Sequence, residues 1–339
     1  MMNELGITIA GNIIVDVVKN IDCYPKIGML SNIESVSKAV GGCVPNTAIN
    51  FTKIDNEVPV KVIGKVGNDD YGRYVTGRMN AFGIDTSMVK ISSKEPTSFS
   101  DVMNLPSGER TFFHARGANA EFSPQDIDLD KLSCDIFHIG YILLLDSFDK
   151  EEKEYGTAMA GLLKQVQERG IKTSVDIVSD SSADYQKTIV PALKYCNYAI
   201  VNEIESCTTF NLEPRDDDGK LLINNIHLAM SKMAECGVKD KVIVHSKEAG
   251  FILDVRSGNF ITVPSIDIPK EMIKGKVGAG DSYCAGCLYG LYNGYSDREI
   301  LEFASAAAIC NLFAENSIDG MLKKSEIEKI PEKYGRFSL

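Results

Sequence analysis

Along most of the chain, short apolar runs rich in β-branched residues alternate with longer segments whose apolar positions recur with helical periodicity. The apolar runs predict strands at residues 7–18, 60–66, 136–141, 173–178, 198–201, 242–245 and 251–255. The helical patterns predict helices at residues 46–53, 71–82, 150–169, 183–194, 221–236, 282–292 and 300–314. Strands that are buried on both faces and separated by helices are typical of α/β proteins. We therefore expect a doubly wound, mostly parallel sheet flanked by helices, in a single domain over residues 1–339.

Two segments, residues 19–40 and 95–116, lack this alternation and look like short, partly polar strands without intervening helices. The second contains Pro-Ser-Gly-Glu at residues 106–109, a turn signal between two strand-like runs that predicts a β-hairpin. Paired together, the two segments would form a small β-sheet that projects from the main one. Such a sheet would suit a lid over a bound substrate, although a peripheral decoration explains the same pattern.

The composition excludes several classes of protein. The chain has 339 residues, of which 44% are hydrophobic and 24% charged, and a formal net charge of -11. No apolar run approaches the ~18 residues of a membrane span, and an acidic chain without a basic cluster is not typical of proteins that bind nucleic acids or anionic membranes. Nine scattered cysteines and an N-terminus unlike a signal peptide indicate reduced thiols and a cytoplasmic protein. These features still allow an anionic small ligand that is bound by backbone amides.

The most specific local feature is the segment Gly278-Ala279-Gly280-Asp281, which runs directly into an apolar helix. Two glycines allow the backbone to approach a ligand closely, and the start of a helix presents unpaired N–H groups that bind a phosphate or a developing anion. Asp281, in the first turn, is well placed to act as a general base. Simple capping of the helix is the alternative, but capping requires no pair of glycines.

Two common phosphate-binding motifs do not match the sequence. A Walker loop requires Gly-Lys followed by Ser or Thr, and the Gly-Lys pairs at residues 64–65, 219–220 and 275–276 lack that third residue. A dinucleotide-binding fingerprint requires a small residue where Tyr283 stands, and it normally lies in an early βαβ unit. An NAD-dependent dehydrogenase therefore explains the glycine-rich segment poorly.

A second group of polar residues lies near the N-terminus. The first predicted strand leads to Asp16, and the pair Gly41-Gly42 precedes Asn46 at the start of a predicted helix. A carboxylate, two glycine amides and a carboxamide can together bind vicinal hydroxyls, as a polyol ligand would require. Taken separately, each residue also fits a structural role at a strand end, in a turn or at a helix cap.

A third candidate, Asn202-Glu203-Ile204-Glu205, directly follows the predicted strand at residues 198–201. Doubly wound proteins bind ligands at the carboxyl ends of their strands. Asn202 and Glu205 could orient phosphate oxygens or water around Mg²⁺. The same four residues also fit a simple capping arrangement.

In this order, these motifs resemble those of the ribokinase-like (PfkB) carbohydrate kinase family, and the resemblance covers nearly the whole chain. The matching segments are Gly11…Asp16, Gly41-Gly42…Asn46, Gly64-Lys65-Val66-Gly67-Asn68-Asp69 with Gly72, Gly108-Glu109-Arg110, Gly117-Ala118-Asn119, Asn202…Glu205 and Gly278-Ala279-Gly280-Asp281. The last motif is highly specific in that context, and the others are moderately specific individually. The resemblance implies a ribokinase-like α/β core with a small β-sheet lid.

The resemblance also implies an activity, the transfer of the γ-phosphoryl group of ATP to a hydroxyl of a small sugar. It makes Asp281 the base that accepts the hydroxyl proton and directs the amides of residues 278–280 toward the transferring group. The substrate-binding residues would be Asp16, Gly41, Gly42, Asn46 and Asn119, and the nucleotide-binding residues would be Asn202, Glu205, Ser246, Lys247, Gly250 and Asn311. Glu205 would also bind Mg²⁺ through water.

One departure from the family pattern precedes the glycine-rich motif. The family commonly has Asp-Thr-x at this point, whereas this chain has Gly275-Lys276-Val277. In many members that Asp helps to bind an activating monovalent cation, so activation by K⁺ is doubtful here. Our hypothesis is that the ammonium group of Lys274 or Lys276 supplies a fixed positive charge instead, and the alternative is that both lysines face solvent.

A second departure follows the apolar run at residues 242–244. The family commonly has Thr-x-Gly near the nucleotide here, and this chain has His245-Ser246-Lys247 followed by Gly250. Lys247 could contact a phosphate or face solvent. These departures motivate one rival function, a non-catalytic sugar or nucleotide sensor on the same fold.

A nucleoside kinase of the same family is the other rival, because it needs the same early Asp and Asn. It would also need an apolar slot for the base, which Phe99 and Phe113 of the predicted lid could form. Members of the family often dimerise through the lid, so the resemblance also implies a possible homodimer with the lid as its interface.

Other residues with metal-binding or redox character are better explained by packing. Cys284 and Cys287 have CxxC spacing, but they have no second Cys or His pair nearby and lie on a predicted buried helix. His138 falls in a predicted buried strand and His227 on a predicted helix. His114 falls in the predicted lid hairpin, where it could contact the substrate.

Overall fold

The apolar runs of the sequence form the strands of a large sheet in the computed structural model, which describes residues 5–179 and 184–339. The strands are β1 (Ile7–Ala10), β2 (Ile14–Ile21), β3 (Ile33–Gly41), β4 (Val60–Ile63), β5 (Lys65–Gly67), β6 (Lys90–Ser92), β7 (Phe99–Asn104), β8 (Arg110–Ala115), β9 (Ile136–Ile142), β10 (Glu151–Glu152), β11 (Gly156–Thr157), β12 (Lys172–Ile177), β13 (Tyr198–Asn202), β14 (Lys241–His245), β15 (Ala249–Asp254), β16 (Asn259–Pro264), β17 (Ile266–Asp267) and β18 (Gly335–Arg336). The α-helices are α1 (Cys43–Ile54), α2 (Asp70–Ala81), α3 (Gly117–Glu121), α4 (Ala158–Glu168), α5 (Tyr185–Leu193), α6 (Glu203–Thr208), α7 (Ile223–Glu235), α8 (Ala279–Tyr292), α9 (Asp297–Leu312) and α10 (Lys324–Ile327).

The large sheet has the strand order β16-β15-β14-β13-β12-β9-β1-β4. All strands from β4 to β14 in this order are parallel to their neighbours, and β15 and β16 extend one edge in antiparallel orientation. The predicted doubly wound, mostly parallel sheet is thus confirmed. Because parallel strands end at a common edge, the residues that follow them lie close together there.

Two apolar cores lie on opposite faces of the large sheet. One core includes side chains from α1, α2, α8 and α9, and the other includes side chains from α4, α5 and α7. Successive strand residues alternate between the faces, so Ile136 joins the first core whereas Phe137 and Ile139 join the second. His138 has the same parity as Ile136, and its buried imidazole therefore faces α8.

A separate small sheet has the strand order β3-β2-β7-β8. β7 and β8 form the predicted hairpin, and β2 joins it to β3. The small sheet therefore arises from the two segments expected to form it, although β2 begins earlier than residue 19, at Ile14. It exposes several large apolar side chains, among them Ile33, Val36, Phe112 and Phe113.

The strand predicted at residues 7–18 is in fact two strands in different sheets, and this expectation was wrong. Gly11 interrupts the run with a φ of 134°, and a Cβ at this position would lie 2.6 Å from Cys43 Sγ. The predicted strand at 60–66 divides in the same way at Gly64, where a Cβ would lie 2.6 Å from Ile13 Cδ1. Apolar periodicity does not reveal such breaks, because buried apolar residues continue within two positions on both sides of each glycine.

The helix predicted at residues 150–169 is also shorter than expected. Its first part forms the β10–β11 hairpin, which contains Gly156 with a φ of 88°. The helix begins only after Thr157, whose hydroxyl accepts a hydrogen bond from the Ala160 N–H at 3.2 Å. The charged run at 150–154 satisfies a helical pattern, but the glycine and the N-cap fix the real start.

The other predicted helices match the structure to within a few residues, and β16 is a strand that the sequence pattern did not predict. The helix predicted from residue 183 begins at Tyr185, and residue 183 itself lies outside the described residues. Within residues 5–179 and 184–339, no helix is long and apolar enough to cross a membrane.

Candidate active site

Polar side chains at the carboxyl ends of the parallel strands surround a cavity of about 280 Å³. The ends of β9, β12, β13 and β14 line it together with the start of α8. Its polar lining residues are Tyr141, Asp176, Ser179, Asn202, Glu205, His245 and Asp281. The fold thus brings together Asn202, Glu205 and Asp281, at the edge where doubly wound sheets bind ligands.

Asp281 lies in the first turn of α8, with only 6% of its surface exposed. Its carboxylate accepts hydrogen bonds from Asn46 Nδ2 at 2.9 Å and from the Tyr141 hydroxyl at 3.0 Å. Burial raises the pKa of this carboxyl to about 7, and the nearby Asp176 carboxylate adds to the increase. A carboxyl group that is fixed by two donors and has a pKa near neutrality is suited to accept a proton from a ligand hydroxyl.

The glycines that precede Asp281 have different roles. Gly278 caps α8 in the left-handed conformation with a φ of 79°, and a Cβ there would lie 2.3 Å from Ser317 Cβ. Among the described residues, a Cβ on Gly280 would meet only His245 Cε1, at 3.9 Å, so this position is open toward the cavity. The Ala279 N–H is engaged in a long turn hydrogen bond of 3.3 Å. The amide of Gly280, in the first helical turn where intrahelical acceptors are lacking, can therefore donate to an anion.

Asn46 lies in the first turn of α1 and links that helix to the start of α8. Its Nδ2 donates to Asp281, and its Oδ1 accepts a hydrogen bond from Ser317 Oγ at 2.6 Å. One turn later, Asn50 Nδ2 donates to Ser282 Oγ at 2.9 Å. These contacts fix the Asn46 carboxamide beside Asp281, and its direct contact with a substrate stays a prediction.

Asp16 lies on β2 in the small sheet, beside the glycine pair that begins α1. Burial raises the pKa of its carboxyl to about 6, although a hydrogen bond from Ser100 and the charge of Arg110 act in the opposite direction. A Cβ on Gly41 would lie 2.5 Å from Asp16 Oδ2, and Gly42 has a φ of 84°. The pair thus leaves room for the carboxylate and permits the turn into the helix.

Asn202 and Glu205 form a capping box at the start of α6, as the structural alternative anticipated. Asn202 Oδ1 accepts from the Glu205 N–H at 2.8 Å, and the Glu205 carboxylate accepts from the Asn202 N–H at 2.9 Å. Ser179 Oγ also donates to Glu205 at 2.9 Å. Burial raises the pKa of the Glu205 carboxyl to about 8. Since both residues also line the cavity, the capping role does not exclude a role toward a nucleotide.

The altered segment at the end of β14 places the imidazole of His245 in the cavity. His245 stacks on Tyr283 with 4.6 Å between ring centroids, and burial lowers the pKa of His245 to about 4. A Cβ on Gly250 would lie 2.4 Å from the Tyr283 hydroxyl, so this glycine allows the close approach. Ser246 Oγ closes a turn by accepting from the Ala249 N–H at 3.0 Å. Lys247 lies over the Phe337 ring, at 5.3 Å from its centroid.

Two further predicted site residues are engaged with the backbone. The Asn119 carboxamide accepts from the Ile13 N–H at 3.2 Å and donates to the Ile13 carbonyl at 3.1 Å. Asn311 Nδ2 donates to the Val277 carbonyl at 2.8 Å. Asn119 therefore stabilises the backbone where the chain leaves β1 and enters β2, and Asn311 stabilises the loop before α8. Their direct contacts with sugar and nucleotide stay predictions.

The segment before the glycine-rich motif has no space for a side chain at Gly275. A Cβ on Gly275 would lie 2.7 Å from the Ala314 carbonyl oxygen and 2.8 Å from that of Glu315. The Asp that the family commonly carries does not fit this backbone. Lys274 and Lys276 are exposed, and their ammonium groups make no ion pair with any described residue. Their proposed role as a fixed positive charge stays a hypothesis.

Sequence reasoning missed three polar residues of the cavity, Tyr141, Asp176 and Ser179. Tyr141 has a φ of 66° at the end of β9, and its N–H donates to the Asp176 carboxylate while its hydroxyl donates to Asp281. Asp176 lies near the end of the predicted strand at residues 173–178, and an acidic residue near the carboxyl end of a buried strand is a signal that could have identified it. No local motif marks Tyr141, because its role depends on an unusual backbone conformation.

The comparisons with known proteins agree with this geometry. A model of the pfkB family of carbohydrate kinases matches residues 7–324. The chain is similar to a 5-dehydro-2-deoxygluconokinase of Shouchella clausii, with 24% identity over 328 residues that cover 90% of each chain. Its fold is similar to that of Arabidopsis thaliana ribokinase complexed with ribose and ATP, with a TM-score of 0.79, 20% identity and coverage of 96% and 98%. It is also similar to a nucleoside kinase of Methanocaldococcus jannaschii, with a TM-score of 0.71, 21% identity and coverage of 96% and 98%. Because the family model spans most of the sequence, this chain belongs to the PfkB family of carbohydrate kinases.

Proposed function

We propose that this protein transfers the γ-phosphoryl group of ATP to a hydroxyl of a small sugar, with Asp281 as the catalytic base. The observation that carries the proposal is the position of Asp281 in the cavity. It is buried, accepts hydrogen bonds from Asn46 and Tyr141, and directly follows Gly280, which lines the same cavity at the start of α8. A proton acceptor and an anion-binding helix start are thus adjacent, as phosphoryl transfer to an alcohol requires.

In the proposed reaction, the acceptor hydroxyl lies beside Asp281, and Asp16 and Asn46 bind neighbouring hydroxyls. The hydroxyl oxygen forms a bond to the γ-phosphorus while the bond from that phosphorus to the bridging oxygen of ADP breaks. The hydroxyl proton passes to the Asp281 carboxylate. The amide of Gly280 donates to the oxygens of the transferring group, where negative charge is concentrated.

Mg²⁺ fits the donor set of the cavity, and Glu205 with Asn202 would hold it, directly or through water. The cavity lining contains the carboxylates of Asp176, Glu205 and Asp281, and no Lys or Arg is among its described residues. Oxygen ligands of this kind suit Mg²⁺, which would neutralise charge on the phosphates of the nucleotide. Without a cation, a triphosphate would meet only negative groups and neutral donors here.

The names of relatives give the range of acceptors to test. One relative is a 5-dehydro-2-deoxygluconokinase, and one structural neighbour is a ribokinase with bound ribose. We therefore expect a monosaccharide or a sugar acid as the acceptor. Nucleosides are the closest alternative, and their base would need an apolar slot. Phe99, one of the two aromatic residues considered for that slot, packs beside Tyr71 with 5.7 Å between the ring centroids. Phe113, the other aromatic residue considered for a base slot, is 56% exposed.

The test is the transfer of labelled γ-phosphate from Mg·ATP to pentoses, hexoses, sugar acids and nucleosides. Asp281→Asn should reduce kcat by roughly 10²–10⁴-fold, whereas Asp217→Asn, an exposed loop residue, serves as the matched control. Transfer to nucleosides alone would replace the sugar by a nucleoside as the acceptor. ATP binding without transfer to any member of the panel would favour the sensor and contradict the kinase proposal.

We also propose that two chains associate through the small sheet, and that the protein is cytoplasmic. The exposed side chains of Ile33, Val36, Phe112 and Phe113 support the first proposal, since each exposes at least half of its surface. All nine cysteines are free thiols, which supports a reducing compartment. Light scattering of the purified protein would test the association, and a monomeric mass at high concentration would contradict it.

A further inference from the structure

A second cluster of chemically reactive side chains lies at the wall of the same cavity, and none of its members bonds to a reacting atom in the proposed phosphoryl transfer. His138 on β9, Asp176 on β12 and Cys284 on α8 are all buried. His138 Nε2 lies 3.4 Å from Asp176 Oδ2 and 3.6 Å from Cys284 Sγ. All three candidate ligand atoms lie within 4.8 Å of one another. We propose that these three residues form a binding site for a soft divalent cation of the Zn²⁺ type.

Two of the three separations between the ligand atoms fit tetrahedral coordination. With ordinary zinc bond lengths, a ligating nitrogen and sulfur lie about 3.5 Å apart, and a ligating nitrogen and oxygen about 3.4 Å apart. The observed separations of 3.6 Å and 3.4 Å agree with these values. As a purely hydrogen-bonded group, the cluster has either an Nε2–H that donates to the carboxylate or a thiol that donates to Nε2, so the two contacts of His138 Nε2 are not both good hydrogen bonds. A cation between the three atoms satisfies all of them at once.

The remaining atoms of two ligands are already engaged, which leaves the inner atoms free for a metal. His138 Nδ1 lies 3.0 Å from Ser174 Oγ, so that Nδ1 can carry the proton and Nε2 the lone pair. The other oxygen of Asp176 accepts the backbone N–H of Tyr141. One thiolate and one carboxylate would also balance the charge of a divalent cation, which a buried site requires.

The cluster is accessible from the cavity, because Asp176 and Cys284 both line it together with Asp281. Three protein ligands leave a fourth tetrahedral position for water or a ligand oxygen. A cation bound here would occupy space next to Asp281 and should inhibit phosphoryl transfer. This last consequence rests on the proposed function, whereas the binding of the metal does not.

The direct test is titration of the purified chain with Co²⁺, in a Cys23→Ser background that removes the exposed thiol. We expect one equivalent of Co²⁺ to bind with a thiolate-to-cobalt charge-transfer band, and Zn²⁺ to displace it. Cys284→Ser should abolish the band. Cys287→Ser is the matched control, because this thiol is equally buried on the same helix and should leave the band intact.

A band that persists in Cys284→Ser, or that disappears only in Cys43→Ser, would overturn the assignment. Zinc-edge X-ray absorption of the otherwise unmodified protein provides a test that needs no variant at the site. One sulfur ligand with nitrogen and oxygen ligands is expected, and a coordination shell without sulfur would overturn the proposal.

Inhibition of transfer by Zn²⁺ that is weakened at least tenfold in Cys284→Ser would establish the functional consequence separately. An inactive protein that still binds Co²⁺ would refute only the proposed function.

Discussion

Asp281 receives hydrogen bonds from neutral donors and lies near negatively charged carboxylates, and these opposing interactions set the pKa of its carboxyl group. Asn46 and Tyr141 stabilise its carboxylate, whereas burial and the charge of Asp176 favour its protonated form. The outcome is a pKa of about 7, well above that of an exposed aspartate. Small changes in its immediate neighbours should therefore change activity near neutral pH.

We expect kcat/KM to decrease as the pH is lowered through about 7. The reason is that Asp281 can accept the hydroxyl proton only when it is itself deprotonated, and the raised pKa places that titration near neutrality. Initial rates at low sugar concentration over a pH series would measure it. A value of kcat/KM that is constant from roughly pH 5 to roughly pH 8 would contradict Asp281 as the base.

Tyr141→Phe should move this acidic limb to higher pH by roughly one unit, since a hydrogen bond to a charged group contributes about 1.5 kcal/mol or more. The variant removes the hydroxyl that donates to Asp281 at 3.0 Å and leaves the ring in place. Tyr283→Phe is the matched control, because the Tyr283 hydroxyl is buried without a hydrogen-bond partner among the described residues. Equal pH profiles for Tyr141→Phe and the native protein would show that this hydrogen bond does not set the pKa.

The start of α8 separates two requirements that a glycine-rich helix start usually combines. Gly278 meets a conformational requirement, because its backbone is left-handed and Ser317 fills the space where a Cβ would lie. Gly280 meets a requirement of open space, because no described residue other than His245 lies near the position of its missing Cβ. The two glycines should therefore respond differently to the same substitution.

Gly280→Ala should leave the fold intact and reduce kcat/KM by about tenfold or more, because the methyl group enters the space next to the anion-binding amide. Gly278→Ala should instead destabilise the protein by more than about 1 kcal/mol, since Ala is strained at positive φ and collides with Ser317. Thermal unfolding and steady-state kinetics of both variants would distinguish the effects. Loss of stability in Gly280→Ala with unchanged kinetics would contradict this division of roles.

For the whole molecule, the buried carboxyls of the site reduce stability where they are ionised. Burial raises the pKa of Asp16 to about 6, of Asp281 to about 7 and of Glu205 to about 8. A carboxyl with a raised folded-state pKa contributes most to stability below its unfolded pKa, and that contribution is lost as the pH rises through the folded value. The ligand-free protein should therefore lose stability between weakly acidic and weakly alkaline pH.

Asp281→Asn should raise the Tm at pH above 7, by roughly 2–4 °C for each kcal/mol that it adds to the free energy of unfolding. The increase should be smaller at mildly acidic pH. The amide keeps the size of the side chain and cannot ionise, so the variant avoids burying a charge. Calorimetry at several pH values, with Asp217→Asn as the exposed control, would measure the difference. A Tm increase that does not depend on pH would point to packing and not to charge.

The order of strands and helices and the edge that carries the site could be predicted, because they follow from periodicity and from short motifs at strand ends. The break at Gly11 could not, because apolar residues continue on both sides of it. The contact between Tyr141 and Asp281 joins residues 140 positions apart and depends on a positive φ. The cluster of His138 with Cys284 was equally hidden, because its members come from a strand and a helix that meet only in the folded chain.

The division of residues 7–18 between two sheets has a consequence for which acceptors can react. Asp16 belongs to the small sheet, whereas Asp281 belongs to a helix packed on the large one. In the proposed reaction, the acceptor contacts both carboxylates and therefore spans the junction between the sheets, where residues 11–13 link β1 to β2. The separation of the two carboxylates would therefore select acceptors by the distance between their hydroxyl groups. If both carboxylates act as proposed, a polyol with too few carbons between its hydroxyls would bind one carboxylate or the other, and its phosphorylation should be slow.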